Sequence, residues 1–163
     1  MTTLLLLGKT GQVGHELLQV LAPLGTLIAP DRARLDLADA DAMRAVIRDV
    51  KPDIIVNAAA YTAVDRAETE EALAMAINRD GAAAVAAAAQ SLGLPLIQIS
   101  TDYVYDGRKG APYVESDKTG PLNVYGRSKL EGEAVVLKIC PAALVLRTSW
   151  IYSPYGHNFV KNM

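Results

Sequence analysis

The sequence predicts a doubly wound α/β sheet, and three observations carry that reading. Short apolar runs alternate with longer stretches of helical period along the chain. The runs are continuous rather than alternating polar with apolar, as expected of parallel strands covered on both faces by helices. A glycine-rich turn joins the first apolar run to the first helical stretch. Repeated strand–helix units imply right-handed crossovers and a mostly parallel sheet.

Taken in order, TLLLLG (3–8) is the first strand. The opening MTTLLLLG has no basic region and is too short for a signal core or a membrane span. VGHELLQVLAPLG (13–25) follows as a helix, TLIAP (26–30) as the second strand and ADADAMRAVIRDV (38–50) as the second helix. DIIVNAA (53–59) is a third strand leading into DRAETEEALAMAIN (65–78), an acidic helical stretch. Its Asp65, Glu68, Glu70 and Glu71 read as a solvated helix start favoured by the dipole. GAAAVAAAAQSLG (81–93) is an alanine-rich helix closed by Gly93, where a C′ glycine belongs. LPLIQIS (94–100) and ALVLRTS (143–149) are later strands, with a helix carrying Tyr125 and Lys129 between them. NFVKNM (158–163) reads as the opening of a helix without a stop, so the chain is expected to be a fragment of a longer protein.

The 163 residues are 51% hydrophobic and 21% charged, which suits one globular domain with a substantial core. A net charge of −2 without clustered Lys and Arg argues against a general nucleic-acid or membrane surface. The single cysteine, Cys140, excludes an intrachain disulfide and a Cys-based metal cluster; a reducing cytoplasm is the expected compartment. His15 and His157 have no spaced partners and read as structural or exposed.

The turn GKTGQVG places Gly8, Gly11 and Gly14 at three-residue steps. Glycines after a strand and before a helix permit a tight turn, close approach of backbone to a pyrophosphate and close helix–sheet contact. The helix N-terminus adds free N–H groups and a positive dipole end. Lys9, Thr10, Gln12 and Val13 complete this candidate phosphate cradle. GKT also suggests a P-loop, but that motif needs a glycine where Thr3 stands.

The spacing GxxGxxG resembles the extended short-chain dehydrogenase/reductase superfamily. That resemblance implies a Rossmann-type NAD(P)-binding domain in which a residue after the second strand reads the adenine ribose. Asp31, Arg32 and Arg34 in PDRAR are the candidates. Asp31 would accept from a ribose 2′-OH, favouring NADH; either arginine would pair with a 2′-phosphate, favouring NADPH. Asp36 and Leu37 resemble the pair flanking adenine, and Ala58, Ala59 and Ala60 of NAAAY resemble the loop lining the cofactor.

Tyr125 and Lys129 in NVYGRSK lie one helical turn apart and fit the superfamily's YxxxK pattern. A free tyrosine has a pKa of about 10, so exchanging a proton near pH 7 is expected to need a downward shift of roughly 3 units, about 4 kcal/mol. An ammonium and an oxidised nicotinamide would favour the phenolate. Thr101, in QISTDYVYDG at the carboxyl end of a strand, is the second hydroxyl, with Ser100 its neighbour.

GKTGQVG, VNAAAYTAVDRAE, STDYVYDG, PLNVYGRSKLEGE and RTSWIY together resemble the dTDP-4-dehydrorhamnose reductase family over the whole chain. The resemblance implies NADPH- or NADH-dependent reduction of the C4 ketone of dTDP-4-dehydro-L-rhamnose, the last step in making dTDP-L-rhamnose for cell-surface polysaccharides. It implies that Thr101 and Tyr125 contact the C4 oxygen, with Tyr125 as proton donor, and that Lys129 orients the ribose. It places Asp102, Tyr103 and Trp150 in the sugar pocket; a core aromatic is the rival reading of Trp150. It also implies a homodimer of the full-length form, with Mg²⁺ held through a glutamate at Glu16, a residue that by itself reads as a surface helix glutamate. Full members are nearly twice as long, with a smaller C-terminal substrate domain that residues 1–163 lack. Two other functions stay open: an epimerase or dehydratase of nucleotide-sugars, and a non-catalytic regulator like the reductase-like subunit of some methionine adenosyltransferases.

Overall fold

The computed structural model describes residues 1–163 except Arg32 and Ala38. Five strands form one parallel sheet in the order β2-β1-β3-β4-β5: β1 Thr3–Leu7, β2 Thr26–Ile28, β3 Ile54–Asn57, β4 Leu96–Thr101 and β5 Leu144–Thr148. The helices are α1 Gln12–Leu21, α2 Ala40–Val50, α3 Val64–Ala67, α4 Glu71–Met75, α5 Ala82–Leu92 and α6 Val124–Ile139. Each predicted strand is therefore present, and the sheet is doubly wound.

From β1 the chain moves one way to β2 and then back past β1 to β3, β4 and β5. Right-handed crossovers therefore place α1 on one face and α2, α5 and α6 on the other. The main core lies on that second face, where Leu5, Leu7, Ile55 and Leu96 pack against Met43 and Ile47 of α2, the alanines of α5, and Val136 and Cys140 of α6. The alanine tract is thus buried helix, its small side chains letting α5 approach its neighbours closely. Gly93 ends it in the left-handed conformation at φ 65°.

Three local features differ from the sequence expectation. The acidic stretch is not one helix, because a turn around Glu68–Glu70 separates α3 from α4. Between α4 and α5, Ala76–Gly81 forms a π-helical segment, so the acidic and alanine-rich stretches run together. After β5 the chain returns across the carboxyl edge of the sheet and docks on α1. Gln12 Nε2 donates to His157 O at 3.0 Å, Asn158 Nδ2 donates to Gln12 Oε1 at 2.9 Å, and the His15 ring meets Tyr155 tilted by 33° with centroids 3.5 Å apart. The expected helix opening near the end is a short 3₁₀ turn, Val160–Asn162. Among the described residues no helix is long and apolar enough to cross a membrane.

Candidate active site

The strand order reverses between β1 and β3, and that is where an open parallel sheet offers a crevice at its carboxyl edge. A cavity of about 430 Å³ opens there, between the glycine turn, the segment after β2 and the loop after β3. Two glycines make this turn sterically obligatory. Gly8 has φ +86°, and a Cβ on it would lie 2.5 Å from Ala59 N. A Cβ on Gly14 would lie 2.0 Å from Gly8 O, so the first turn of α1 sits directly against the end of β1. Gly11 occupies the α1 N-cap, where a Cβ would meet Gly8 O only at 3.6 Å. Its bareness leaves room in the cavity rather than relieving a clash.

The loop after β3 is shaped by two buried asparagines. Asn57 Oδ1 accepts from Ala59 N at 3.1 Å, while its Nδ2 donates to Gln98 Oε1 at 2.8 Å. Asn78, on the π-helical segment, accepts from Tyr61 N at 2.8 Å and donates to Tyr61 O at 3.0 Å and to Ser128 Oγ at 2.9 Å. Ser128 Oγ donates in turn to Tyr125 O at 2.8 Å. Asn78 therefore ties the cofactor-side loop to the helix that carries Tyr125 and Lys129.

A second cavity of about 220 Å³ adjoins the first, and Tyr125, Val13, Ala58, Ala60, Thr62 and Ile151 line both. Thr101, Asp102, Tyr103, Tyr125, Lys129 and Trp150 meet on its walls. Thr101 closes β4; its Oγ1 donates to Asp102 Oδ1 and accepts from Tyr103 N, both at 3.2 Å. It thus caps the short turn Asp102–Val104 while facing the cavity. Tyr103 stands edge-on to Tyr125, with ring centroids 5.4 Å apart. Trp150 is 74% exposed, has φ +52° and meets Phe159 edge-on. Within residues 1–163, Trp150 is thus a surface residue outside the core clusters.

Burial sets the electrostatics. It raises the Tyr125 phenol above its ordinary value; the neighbouring Thr101 hydroxyl offsets part of this, and the Asp102 charge adds to it. Lys129, expected to favour the phenolate, is directed toward a backbone carbonyl. Its Nζ donates to Ile99 O at 2.8 Å. Burial lowers the Lys129 amine to about 8, against the opposing pull of Glu133. Glu133 is itself buried and held by Arg147 Nη2 at 2.6 Å.

Of the expected cofactor residues, Gly8, Lys9, Thr10, Gly11, Gln12, Val13, Asp31, Asp36, Leu37, Ala58, Ala59, Ala60 and Tyr125 line the first cavity. Gly14 supports it from within α1, and Lys129 faces the second cavity. Arg32 lies outside the described residues. Arg34 is exposed and donates its backbone N–H to Asp31 Oδ1 at 3.1 Å. The sequence-based site lacks Leu7, Pro30, Leu35, Thr62, Ile77 and Ile151 of this lining. Thr62 directly follows the NAAAY motif, whereas Ile77 lies on the π-helical segment, which no local motif marks. Glu16 is half-buried on α1, and no group of three or more His, Cys, Asp or Glu among the described residues could hold a metal. The resemblance places the remaining Mg²⁺ ligands beyond residue 163, so Glu16 is the one candidate ligand among the described residues.

The acidic run is not simply solvated. Glu68 Oε1 accepts from Val124 N at 2.8 Å, Glu70 Oε2 accepts from the Tyr61 hydroxyl at 2.6 Å, and Glu71 pairs with Arg127. The two outer contacts grip the first turn of α6 from α3 and α4.

Comparison with known proteins agrees with this architecture. Over 156 residues the chain is 53% identical to a dTDP-4-dehydrorhamnose reductase of Sinorhizobium fredii, covering 96% of this chain and 53% of that protein. It is 48% identical over 164 residues to a dTDP-4-dehydrorhamnose reductase of Escherichia coli K12, covering 98% of this chain and 55% of that one. The chain thus spans about half the length of these curated relatives. The crystal structure of a Bacillus anthracis dTDP-4-dehydrorhamnose reductase in complex with NADP superposes with a TM-score of 0.96 at 40% identity, over 99% of this chain and 58% of that one. The model of the RmlD substrate binding domain matches residues 1–163 throughout, and the chain belongs to that family, with dTDP-4-dehydrorhamnose reductases as its curated relatives.

Proposed function

We propose that residues 1–163 are the cofactor-binding half of a longer NADPH- or NADH-dependent reductase, which converts the C4 ketone of dTDP-4-dehydro-L-rhamnose to the alcohol of dTDP-L-rhamnose. The observation that carries this reading is the meeting of Thr101, Tyr125 and Lys129 on one cavity wall, directly beside the glycine-turn cavity. The bare Gly8–Gly14 contact and the α1 N-terminus suit a dinucleotide pyrophosphate, with Asp31, Asp36 and Leu37 toward the adenosine end. The NADP in the Bacillus anthracis relative supports the cofactor assignment. The bound nicotinamide supplies the hydride.

The residues of this chain supply the proton and its setting. A ketone reduction needs an acid that begins protonated. Tyr125, raised by burial, is neutral through the physiological range and holds its proton until charge develops on the substrate oxygen. Thr101 supports that oxygen with a second hydroxyl. The phenolate left behind would be an unpaired buried charge, and the Lys129 ammonium on the same cavity offsets it. Asp102, Tyr103 and the exposed Trp150 form the sugar-facing rim, and a smaller C-terminal domain completes the substrate pocket.

The test is consumption of NADPH or NADH by the full-length protein supplied with the dTDP-keto-sugar. Tyr125→Phe is expected to lose about 10²- to 10⁴-fold in kcat with little change in cofactor affinity. A variant that kept its rate would sink the assignment of the acid. Sugar conversion without net cofactor consumption would instead identify an epimerase or dehydratase.

A further inference from the structure

Ser100 is the penultimate residue of β4, beside Thr101, and the proposed mechanism gives it no role. It is 3% exposed, and its Oγ is the single buried side-chain nitrogen or oxygen among the described residues without a hydrogen-bond partner. Native interiors rarely leave such a group unpaired, and each exception calls for a physical explanation. Its carbonyl accepts from Thr148 Oγ1 at 3.1 Å.

Strand geometry shows where the hydroxyl points. Alternation puts Leu96, Gln98 and Ser100 on one face of β4. Leu96 packs on that face against Val136 and Cys140 of α6. Ser100 lies four residues further along, roughly 13 Å at strand rise, while α6 runs in the opposite direction. That distance is about nine residues of helix, which leads back from Val136–Cys140 to the turn containing Lys129. The register agrees: Arg147, paired with Ser100 across β4 and β5, reaches Glu133 one turn further along α6.

Ser100 and Lys129 line the same cavity. Lys129 Nζ has three donors, and among the described residues its one bond is to Ile99 O, the carbonyl immediately before Ser100. An acceptor without a donor thus stands beside a cation with donors to spare. We propose that Ser100 is a positioning residue for Lys129: its hydroxyl accepts a hydrogen bond from the ammonium, directly or through one ordered water, as Nζ turns from Ile99 O toward Tyr125.

The inference rests on the reductase reading, and it makes the hydroxyl a neutral anchor for a cation whose surroundings are otherwise set by charge. Glu133 and Tyr125 face Lys129 from α6, Arg147 from β5 through its pair with Glu133, and Asp102 and Tyr103 from the turn after β4. Removing the hydroxyl leaves all of these charges in place. It should therefore move the Lys129 equilibrium without disturbing the ion pairs.

The experiment compares wild-type full-length protein with Ser100→Ala and Ser100→Thr, saturated with NADPH. Lysine labelled with ¹³C at Cε reports the Lys129 titration, and the signal is assigned by its loss in Lys129→Met. Ser100→Ala is expected to lower the Lys129 pKa by about one unit, a tenfold change in the dissociation constant. It should also move the basic limb of the kcat profile down by the same amount and leave NADPH affinity within twofold. Ser100→Thr keeps the hydroxyl and should keep the wild-type titration. An unchanged titration in Ser100→Ala overturns the proposal, as does an equal shift in both variants, which would signify packing alone. The NMR titration needs no turnover, so failure of the reductase reading would show separately as a wild type that consumes no NADPH.

Discussion

Lys129 is buried at a cost to the fold. It is 5% exposed, and its amine titrates near 8 instead of its ordinary 10.5 because burial penalises the charged form. That drop corresponds to about 3 kcal/mol against the ammonium. The sign follows from linkage. Between about pH 8 and 10.5 the unfolded chain holds this proton more firmly than the folded one, so this group's share of stability rises with pH across that window. Below pH 8 the penalty is present in full. Lys129→Met is therefore expected to melt higher than wild type at pH 7, while the full-length variant loses the proposed reductase activity. Calorimetry checks it, and an unchanged or lower melting temperature would contradict the penalty. The same pKa sets the activity profile. Activity that needs the ammonium should fall as pH rises through about 8, and a profile flat to pH 10 would show that the charge on Lys129 is not required.

At the scale of elements, α6 is held at its start by groups from outside it. Asn123 Oδ1 accepts from Gly126 N at 2.7 Å, and Glu68 Oε1 takes Val124 N, a donor the helix itself cannot satisfy. Tyr125 lies between these two anchors. Glu68→Ala should cost about 1 kcal/mol, the ordinary value of a lost cap, and lower kcat more than it changes cofactor affinity. Equal loss in both would show general unfolding instead. This clamp also marks the limit of what the sequence makes legible. Strands announce themselves as apolar runs, and the Tyr125–Lys129 spacing is a property of one helix, so both can be read locally. The glycine turn is legible for the same reason, since Gly8 and Gly14 lie within one loop and helix start. Glu68 and Glu71 look like a solvated helix start because their partners, Val124 and Arg127, are each 56 residues away. The π-helical segment that brings Ile77 to the cofactor cavity and Asn78 to Ser128 leaves no periodic trace strong enough to distinguish it from ordinary helix. The burial that raises the Tyr125 phenol, and the Ile99 carbonyl that takes the Lys129 ammonium, come from β4 and the turn after it and leave no mark in the Tyr125–Lys129 spacing.

At the scale of the molecule, the two faces of the sheet are unequally covered. Leu144 and Leu146 pair in register with Ile97 and Ile99, opposite in facing to Leu96 and Ser100, and so lie on the α1 side. That helix follows β1, two strands away from β4, and Leu144 and Leu146 are 54% and 40% exposed. Trp150, Tyr152, Phe159 and Val160 add exposed apolar area in the segment beyond β5. Clustered exposure of large apolar side chains of this kind is what marks an interface or an association hazard. The curated relatives extend to nearly twice this length, and a covering element from that additional half is the simplest way to close the face. Residues 1–163 expressed alone should therefore bind a hydrophobic dye strongly and sediment as more than a monomer. Leu146→Lys, which places a charge in the middle of the patch, should reduce both effects. The full-length protein should bind far less dye than the isolated half. If residues 1–163 proved monomeric and dark with the dye, this face would be self-sufficient, and the partition into a cofactor half completed by a second domain would lose its physical basis.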